Sequence, residues 1–446
     1  MEFKMFKNKS KDEARLEILN AIKQYYETFL IQPEYKDGDR INYAGRVFDA
    51  QEILNLSDSA LEFWLTAGKY TQRFEKELGE YLNLPYVSLV NSGSSANLLA
   101  FMALTSPLLK ERQIKRGDEV ISVACGFPTT ITPILQYGAV PVFVDVCLES
   151  ANIEVKFLEQ ALSNKTKAVM LAHSLGNPFD IKAISEFCKK HNLWLIEDNC
   201  DALGSEYTLN GKTAKTGTFG DIGTSSFYPA HHITMGEGGA LYTNSALLDR
   251  IIRSFRDWGR DCYCLGGCDN TCGHRFSKQY GKLPLGYDHK YTYSHFGYNL
   301  KATDMQAAIG CAQLEKLEYF TKRRRENFEY LKAKLQNTQD KLLLPNPSPN
   351  SNPSWFGFLI ICKDGVNKAK LVTALESQKI QTRAVFAGNI IKHPCFDSIR
   401  DTSAYKVAST LTNTDKIMND GFWLGVYPGM NNAMLDKIAK VIIENL

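Results

Sequence analysis

The sequence predicts an α/β fold: one large domain built on a mainly parallel sheet, followed by a smaller C-terminal α+β domain. Two observations carry this. Between about residues 85 and 245, short β-rich apolar runs alternate with segments of helical spacing, the signature of a parallel sheet covered by helices. Further on, the Pro- and Asn-rich stretch LPNPSPNSNPSW marks a boundary, beyond which FGFLIICK and KAKLVTALESQKIQTRAVF read as a smaller unit.

In chain order, the expected strands are YVSLV, DEVISVA, VPVFVDV, KAVMLAH, LWLIED, DIGTSSF and GALYT. SSANLLAFMALTS and DIKAISEFCKKHN, with polar starts and helical spacing, are expected helices between them. Residues 259–292, rich in Gly, Cys, Tyr and His and without periodicity, read as an insertion, and the long charged helix QAAIGCAQLEKLEYFTKRRRENFEYLKAKL follows. The division expected is an N-terminal helical segment at 1–60, a large domain at 61–330 carrying the Cys-rich insertion, and a small domain at 331–446.

At 446 residues, with 44% hydrophobic and 23% charged side chains, the chain can bury a sizeable core. Its 52 Lys and Arg nearly balance 49 Asp and Glu, which argues against nucleic acid or a membrane surface as a partner. The N-terminus MEFKMFKNKSKDEARLEIL has no apolar signal core, and no apolar run approaches the ~20 residues that span a bilayer, so a cytoplasmic setting is expected. There the eleven cysteines are expected to be free thiols rather than a disulfide framework.

Four segments gain meaning when taken together. Val90 to Asn97 (VNSGSSAN) joins a strand to a helix, and the amides and hydroxyls of such a helix start bind phosphate; alone, it also fits a simple Ser-rich cap. Cys125-Gly126-Phe127-Pro128-Thr129-Thr130 places an aromatic ring at the sheet edge where strand C-termini gather ligands. LWLIEDNCDALG ends a fully apolar strand on Glu197, Asp198 and Asp201, and acids at a buried strand end need a cationic partner. Asp198 suits a protonated pyridine nitrogen. Last, SSFYPAHHITMGEGGA is a strand, a tight turn and a Gly-rich stretch.

From about Trp64 to the C-terminus, including GYNLKATDMQAAIG, these motifs resemble those of the fold-type I B6-dependent transferases, specifically the sugar aminotransferases that act on nucleotide-linked keto-sugars. One departure is informative. That family reads Ser-Phe-His-Pro-x-Lys before its Gly-Glu-Gly-Gly turn, the lysine holding the cofactor covalently; here Tyr228 takes the histidine position and His231 the lysine position. An imidazole cannot make that bond, and Lys212 and Lys215 lie well upstream, but a histidine can still move a proton at neutral pH. A degenerate site is the alternative for any lost lysine.

The His-for-Lys pattern resembles the B6-dependent sugar 3-dehydrases. That resemblance implies pyridoxamine 5'-phosphate (PMP, related to pyridoxal 5'-phosphate, PLP), with Gly93, Ser94 and Ser226 on its phosphate and Phe127 stacked on its ring. It also implies Asp198 on the pyridine nitrogen, Asp201 on the ring hydroxyl, and His231 with Tyr228 as the catalytic pair. Asn299 would reach the phosphate of a neighbouring subunit, implying a homodimer. Thr66, Gly68, Phe356 and Arg383 match positions near the sugar, and His232 reads as structural.

Cys262, Cys264, Cys268 and Cys272 fall within eleven residues, and on spacing alone zinc and an iron–sulfur cluster both remain open. The dehydrase branch acting on CDP-4-keto-6-deoxy-D-glucose carries a 2Fe-2S cluster, and its pattern maps onto Cys200, Cys262, Cys264 and Cys272, leaving Cys268 spare or exchangeable with Cys200. The resemblance then implies dehydration at C3 of that sugar on the route to the 3,6-dideoxyhexoses of surface polysaccharide. Electrons would come from an NADH-dependent flavin/iron–sulfur reductase. The alternatives are a dTDP-4-keto-sugar substrate, or a non-catalytic sensor with zinc on its cysteines.

Overall fold

A computed structural model of the chain describes residues 6–264 and 270–446; Cys268 lies outside the described residues. Each of the seven expected runs is a strand. They assemble, with one further strand, in the spatial order Tyr86–Val90, Gly239–Thr243, Ile222–Ser226, Trp194–Asp198, Thr166–Ala172, Glu119–Val123, Val140–Val144, Lys406–Val407. From Ile222–Ser226 to Lys406–Val407 every neighbouring pair is parallel. Glu119–Val123, Trp194–Asp198 and Ile222–Ser226 are buried throughout, as strands covered on both faces must be.

Two features depart from the sequence-based expectation. Gly239–Thr243 runs antiparallel to both its neighbours. The twelve residues between Ser226 and Gly239 form turns with no crossover helix, and the chain doubles back beside the strand it has just left, which makes the pair antiparallel. The eighth strand, Lys406–Val407, comes from the C-terminal part of the chain and pairs with Val142 and Phe143. Two residues carry no periodicity, so nothing in the sequence marks it.

C-terminal to the long helix Leu317–Leu335, a three-stranded antiparallel sheet forms in the order Leu342–Leu343, Gly357–Cys362, Gly421–Gly425. Its own core includes Phe328, Leu331, Phe358, Ile360, Phe422 and Ile442. At the other end, helix Lys11–Phe29 starts with a Ser10–Glu13 capping box but buries no side chain. It is held by Arg15, whose guanidinium reaches Asp58 at 2.6 Å and Glu62 at 2.9 Å. No helix among the described residues is long and apolar enough to cross a membrane.

Two adjacent acids at the end of Trp194–Asp198 show how the sheet sorts chemistry from structure. Successive strand residues point to opposite faces. Glu197, fully buried, accepts hydrogen bonds from the backbone N–H of Gly217 (2.9 Å), Phe219 (2.7 Å) and Gly220 and contacts His173 Nε2 at 3.0 Å. Asp198 faces the other way, into the cavity described below. Glu197 is therefore a structural acid. Glu197→Ala should lower unfolding free energy by roughly 3 kcal/mol or more, since it strands several buried donors; a denaturation midpoint equal to that of the parent protein would refute this assignment.

Candidate active site

The parallel strands end on one edge of the sheet, and their C-terminal loops surround a cavity of about 620 Å³. The turn at Ser92 opens helix Gly93–Ala103, with the Ser92 hydroxyl accepting from the Ser95 N–H. The amides of Gly93 and Ser94 precede the first intrahelical bonds and sit at the cavity wall with Ser226. A Cβ on Gly93 would stand 2.3 Å from the Ser226 Cβ and 3.1 Å from the Cys200 sulfur. Only glycine keeps this helix terminus open, and the resulting cradle fits a phosphate.

Asp198, on the same cavity, is held by residues that lie inside the sequence motifs above without an assigned role. Asn97 Nδ2 and Thr130 Oγ1 each donate to Asp198 Oδ2 at 2.7 Å, and Thr224 Oγ1 donates to Asn97 Oδ1 at 2.7 Å. Asn97 lies four residues after Gly93, hence on the same helix face, which is the signal that could have found it. Oδ1 takes the Cys200 N–H at 3.2 Å. An oriented, buried carboxylate facing a cavity suits a cationic ring nitrogen. Phe127 leads helix Pro128–Tyr137 and leaves its ring 55% exposed on the cavity wall, a platform for a planar group.

His231 occupies the tight turn after Ile222–Ser226, its N–H bonded to the Tyr228 carbonyl at 2.9 Å. Its Nε2 lies 3.6 Å from Asp201 Oδ1, beyond hydrogen-bond distance, and its Nδ1 is buried without a partner. Burial pushes the Asp201 carboxyl above the usual carboxylate range, and the neighbouring His231 ring opposes that rise. The His231 carbonyl is clamped at 3.1 Å by Arg324, a fully buried guanidinium that also holds the Trp355 carbonyl at 3.1 Å. No sequence motif pointed to Arg324, because it sits in the run Arg323-Arg324-Arg325 of a charged helix, where nothing in the residue types sets the buried cation apart. His232 is turned away, its Nε2 on the Ser354 carbonyl at 2.8 Å, where burial pushes its pKa well down.

Tyr228, Phe356 and Arg383 complete the cavity near His231, the last two brought in from the C-terminal unit. The His231 and Phe356 rings are 5.4 Å apart, and the Arg383 guanidinium lies 3.9 Å over the Tyr43 ring. No lysine lines the cavity among the described residues. Three expected residues are not brought to it within this chain. Gly68 starts helix Lys69–Leu82 with its N–H on Asp304 at 2.9 Å, Thr66 is exposed on the preceding loop, and Asn299 accepts from Lys301 at 2.9 Å beside Asp257.

The cysteines separate into two places. Cys200 lines the cavity, where burial and the neighbouring Asp198 charge push its thiol well above its ordinary pKa. Cys262, Cys264 and Cys272 line a small pocket elsewhere with His289. Burial raises the Cys264 thiol, but hydrogen bonds from the Thr271 side chain, from Cys262 and from the backbone at Cys272 and Thr271 outweigh it and bring it down to about 7. Among the described residues no three His, Cys, Asp or Glu side chains already converge to hold a metal. The three-thiol loop fits a thiolate-bound group in donor type, while Cys200 stands apart from it.

Residues 47–443 match the model of the DegT/DnrJ/EryC1/StrS aminotransferase family. The chain is 55% identical to the lipopolysaccharide biosynthesis protein RfbH of Salmonella typhimurium over 90% of both proteins. It is 49% identical to the dTDP-4-dehydro-2,6-dideoxy-D-glucose 3-dehydratase of Saccharopolyspora spinosa, over 97% of this chain and 92% of that one. Among solved structures, the Escherichia coli GDP-4-keto-6-deoxy-D-mannose-3-dehydratase with bound hydrated PLP superposes with a TM-score of 0.79 at 29% identity, covering 91% of this chain and all of that one. The Gly93 cradle, the Asp198 carboxylate and the Phe127 platform fit a B6 cofactor, and the family match spans nearly the whole chain: it belongs to the DegT/DnrJ/EryC1/StrS aminotransferase family.

Proposed function

We propose that this protein is a B6-dependent nucleotide-sugar 3-dehydrase that uses His231 as its base, acting on CDP-4-keto-6-deoxy-D-glucose in the synthesis of 3,6-dideoxyhexoses for O-antigen lipopolysaccharide. The observation that carries this is a cavity on which Gly93, Asp198 and Phe127 converge with the His231 imidazole, and on whose wall no lysine stands among the described residues. When bound, the pyridoxamine cofactor supplies an amine for the sugar's 4-keto group and a conjugated ring that accepts electrons. The chain does the rest. Asp198 holds the ring nitrogen, Gly93, Ser94 and Ser226 seat the phosphate, Phe127 stacks, and Asp201 contacts the ring hydroxyl. With Nδ1 buried, Nε2 is the His231 nitrogen that exchanges a proton with the bound group.

Loss of the C3 hydroxyl as water leaves the sugar two electrons short of the 3-deoxy product. A 2Fe-2S cluster on the insertion, passing one electron at a time from an NADH-dependent flavin/iron–sulfur reductase, would supply them. The thiols of Cys262, Cys264 and Cys272 around one small pocket support this. A homodimer, with Asn299 serving the partner's phosphate, is supported by the exposed aromatics Tyr291, Tyr293 and the fully exposed Phe296 just before it.

The Saccharopolyspora relative favours a second substrate, a dTDP-4-keto-sugar. Anaerobic protein with pyridoxamine phosphate should release water from the CDP-sugar faster than from the dTDP-sugar, and should contain iron and sulfide in equal amounts. Faster reaction of the dTDP-sugar would transfer the assignment to that substrate. Zinc in place of iron, with neither sugar consumed, would refute the dehydrase.

A further inference from the structure

Part of the cavity wall comes from a stretch near the N-terminus that no sequence motif singled out. Between helices Lys11–Phe29 and Ala50–Glu62 the chain lies against the C-terminal unit. Ile41 is buried there and pairs with Ile380, its N–H on the Lys379 carbonyl at 3.0 Å and its own carbonyl accepting from the Gln381 N–H at 2.9 Å. Two residues on, the Tyr43 N–H donates to Gln381 Oε1 at 3.3 Å. A Cβ on Gly425 would stand 2.1 Å from the Tyr43 carbonyl oxygen, so the two backbones can meet this closely only at a glycine. These contacts fix Tyr43 with its ring on the cavity wall.

That ring belongs to a row of contacts that starts at His231. The His231 and Phe356 rings are 5.4 Å apart, Phe356 and Trp423 5.1 Å, and Trp423 and Tyr43 5.3 Å in an edge-on pair at 84°. The Arg383 guanidinium closes the row, 3.9 Å over the Tyr43 ring. Arg383 is the only lysine or arginine on the cavity wall among the described residues. It gives one N–H to the Thr382 carbonyl at 2.9 Å and pairs with no carboxylate among the described residues. An acid beside it would hold the guanidinium still but cancel its charge toward an incoming anion. An aromatic face holds it and leaves both the charge and the planar N–H fork available. A nucleotide sugar carries a doubly negative diphosphate between its nucleoside and its sugar, and the phosphate cradle at Gly93 is taken by the cofactor in the reading above.

We propose that Tyr43 is a positioning residue for substrate binding: its ring face holds the Arg383 guanidinium as the receptor for the diphosphate of the nucleotide sugar. This rests on the nucleotide-sugar reading above and holds for either nucleotide. Tyr43 acts through Arg383, so its ring is required and its hydroxyl is not. Loss of the ring weakens binding rather than turnover, because proton transfer at His231 uses none of these atoms.

The test measures binding of CDP and dTDP to full-length protein loaded with pyridoxamine phosphate, by calorimetry, without the reaction. Tyr43→Leu should weaken both by about three- to thirtyfold, the span of a cation–π contact from exposed to desolvated sites. It should raise KM for the sugar substrate and leave kcat in place, and Tyr43→Phe should recover the binding. In Arg383→Ala protein, Tyr43→Leu should have no further effect, since the contact it removes is already gone. Cytidine, which lacks the diphosphate, should bind Tyr43→Leu and the parent alike. If Tyr43→Leu fails to fold, a trifluorinated phenylalanine at position 43 carries the same test: it keeps the ring's shape, attracts cations less, and should bind CDP more weakly than Tyr43→Phe. Parental CDP affinity in the variant without the ring contact, additive losses in the Tyr43–Arg383 cycle, or an equal loss of cytidine would overturn the Tyr43 assignment and leave the nucleotide-sugar reading standing. A parent protein that binds neither CDP nor dTDP would overturn that reading, and the Tyr43 assignment with it.

Discussion

His231→Asn protein should bind pyridoxamine phosphate as the parent does and dehydrate the keto-sugar roughly a hundred- to ten-thousandfold more slowly, the usual contribution of a positioned proton-transfer group. Asparagine is close in shape, and the turn is held by the backbone bonds to Tyr228 and Arg324 rather than by the imidazole, so folding should survive. His231→Lys separates the proton-transfer role from mere occupancy. A lysine amine in that position would capture pyridoxal phosphate covalently, so borohydride would fix the cofactor to the chain, and dehydration would be lost. Should the parent protein itself yield a borohydride-fixed cofactor, or either variant dehydrate at the parental rate, His231 would have no part in the chemistry.

Asp198→Asn should lower turnover by about a hundred- to a thousandfold, comparable to removing one preorganised charge from a catalytic site. The two donors on Oδ2, Asn97 and Thr130, already orient the group, so the amide oxygen can keep their bonds. What it loses is the negative charge that keeps a ring nitrogen protonated and the ring an electron sink. Its amide N–H₂ would also meet the Cys200 N–H, a donor against a donor. Single-turnover dehydration, measured with the absorbance of the bound cofactor, separates lost chemistry from lost binding. An unchanged rate with a full complement of cofactor would remove Asp198 from the electron-sink role.

The contrast between Glu197 and Asp198 shows where reading the chain reaches its limit. Both end one apolar strand, and both are acids that need compensation. Which of them is compensated by backbone amides and which faces the cavity depends on the pleat and on the loop at Gly217–Gly220, and one residue of phase reverses the roles. Asn97 and Thr130 stood inside quoted motifs, yet their purpose appears only when the strand carrying Asp198 lies beside both.

The chain by itself determined seven of the eight strands of the large sheet, because buried strands are continuous apolar runs, and the loops at their ends, because each is a contiguous segment. It also put His231 in the turn where the resemblance leads one to look for the lysine, since that is a matter of identity at one position. Tertiary structure alone decided the antiparallel course of Gly239–Thr243, the clamp of Arg324 on the His231 turn, and the parting of Cys200 from the other thiols. It alone placed His289, seventeen residues beyond Cys272, against that cysteine's sulfur. The physical reason is range: hydrophobic period and loop chemistry act between near neighbours, whereas a buried ion, a ligand set or a strand's direction is settled by groups distant in sequence that packing brings within a few ångströms.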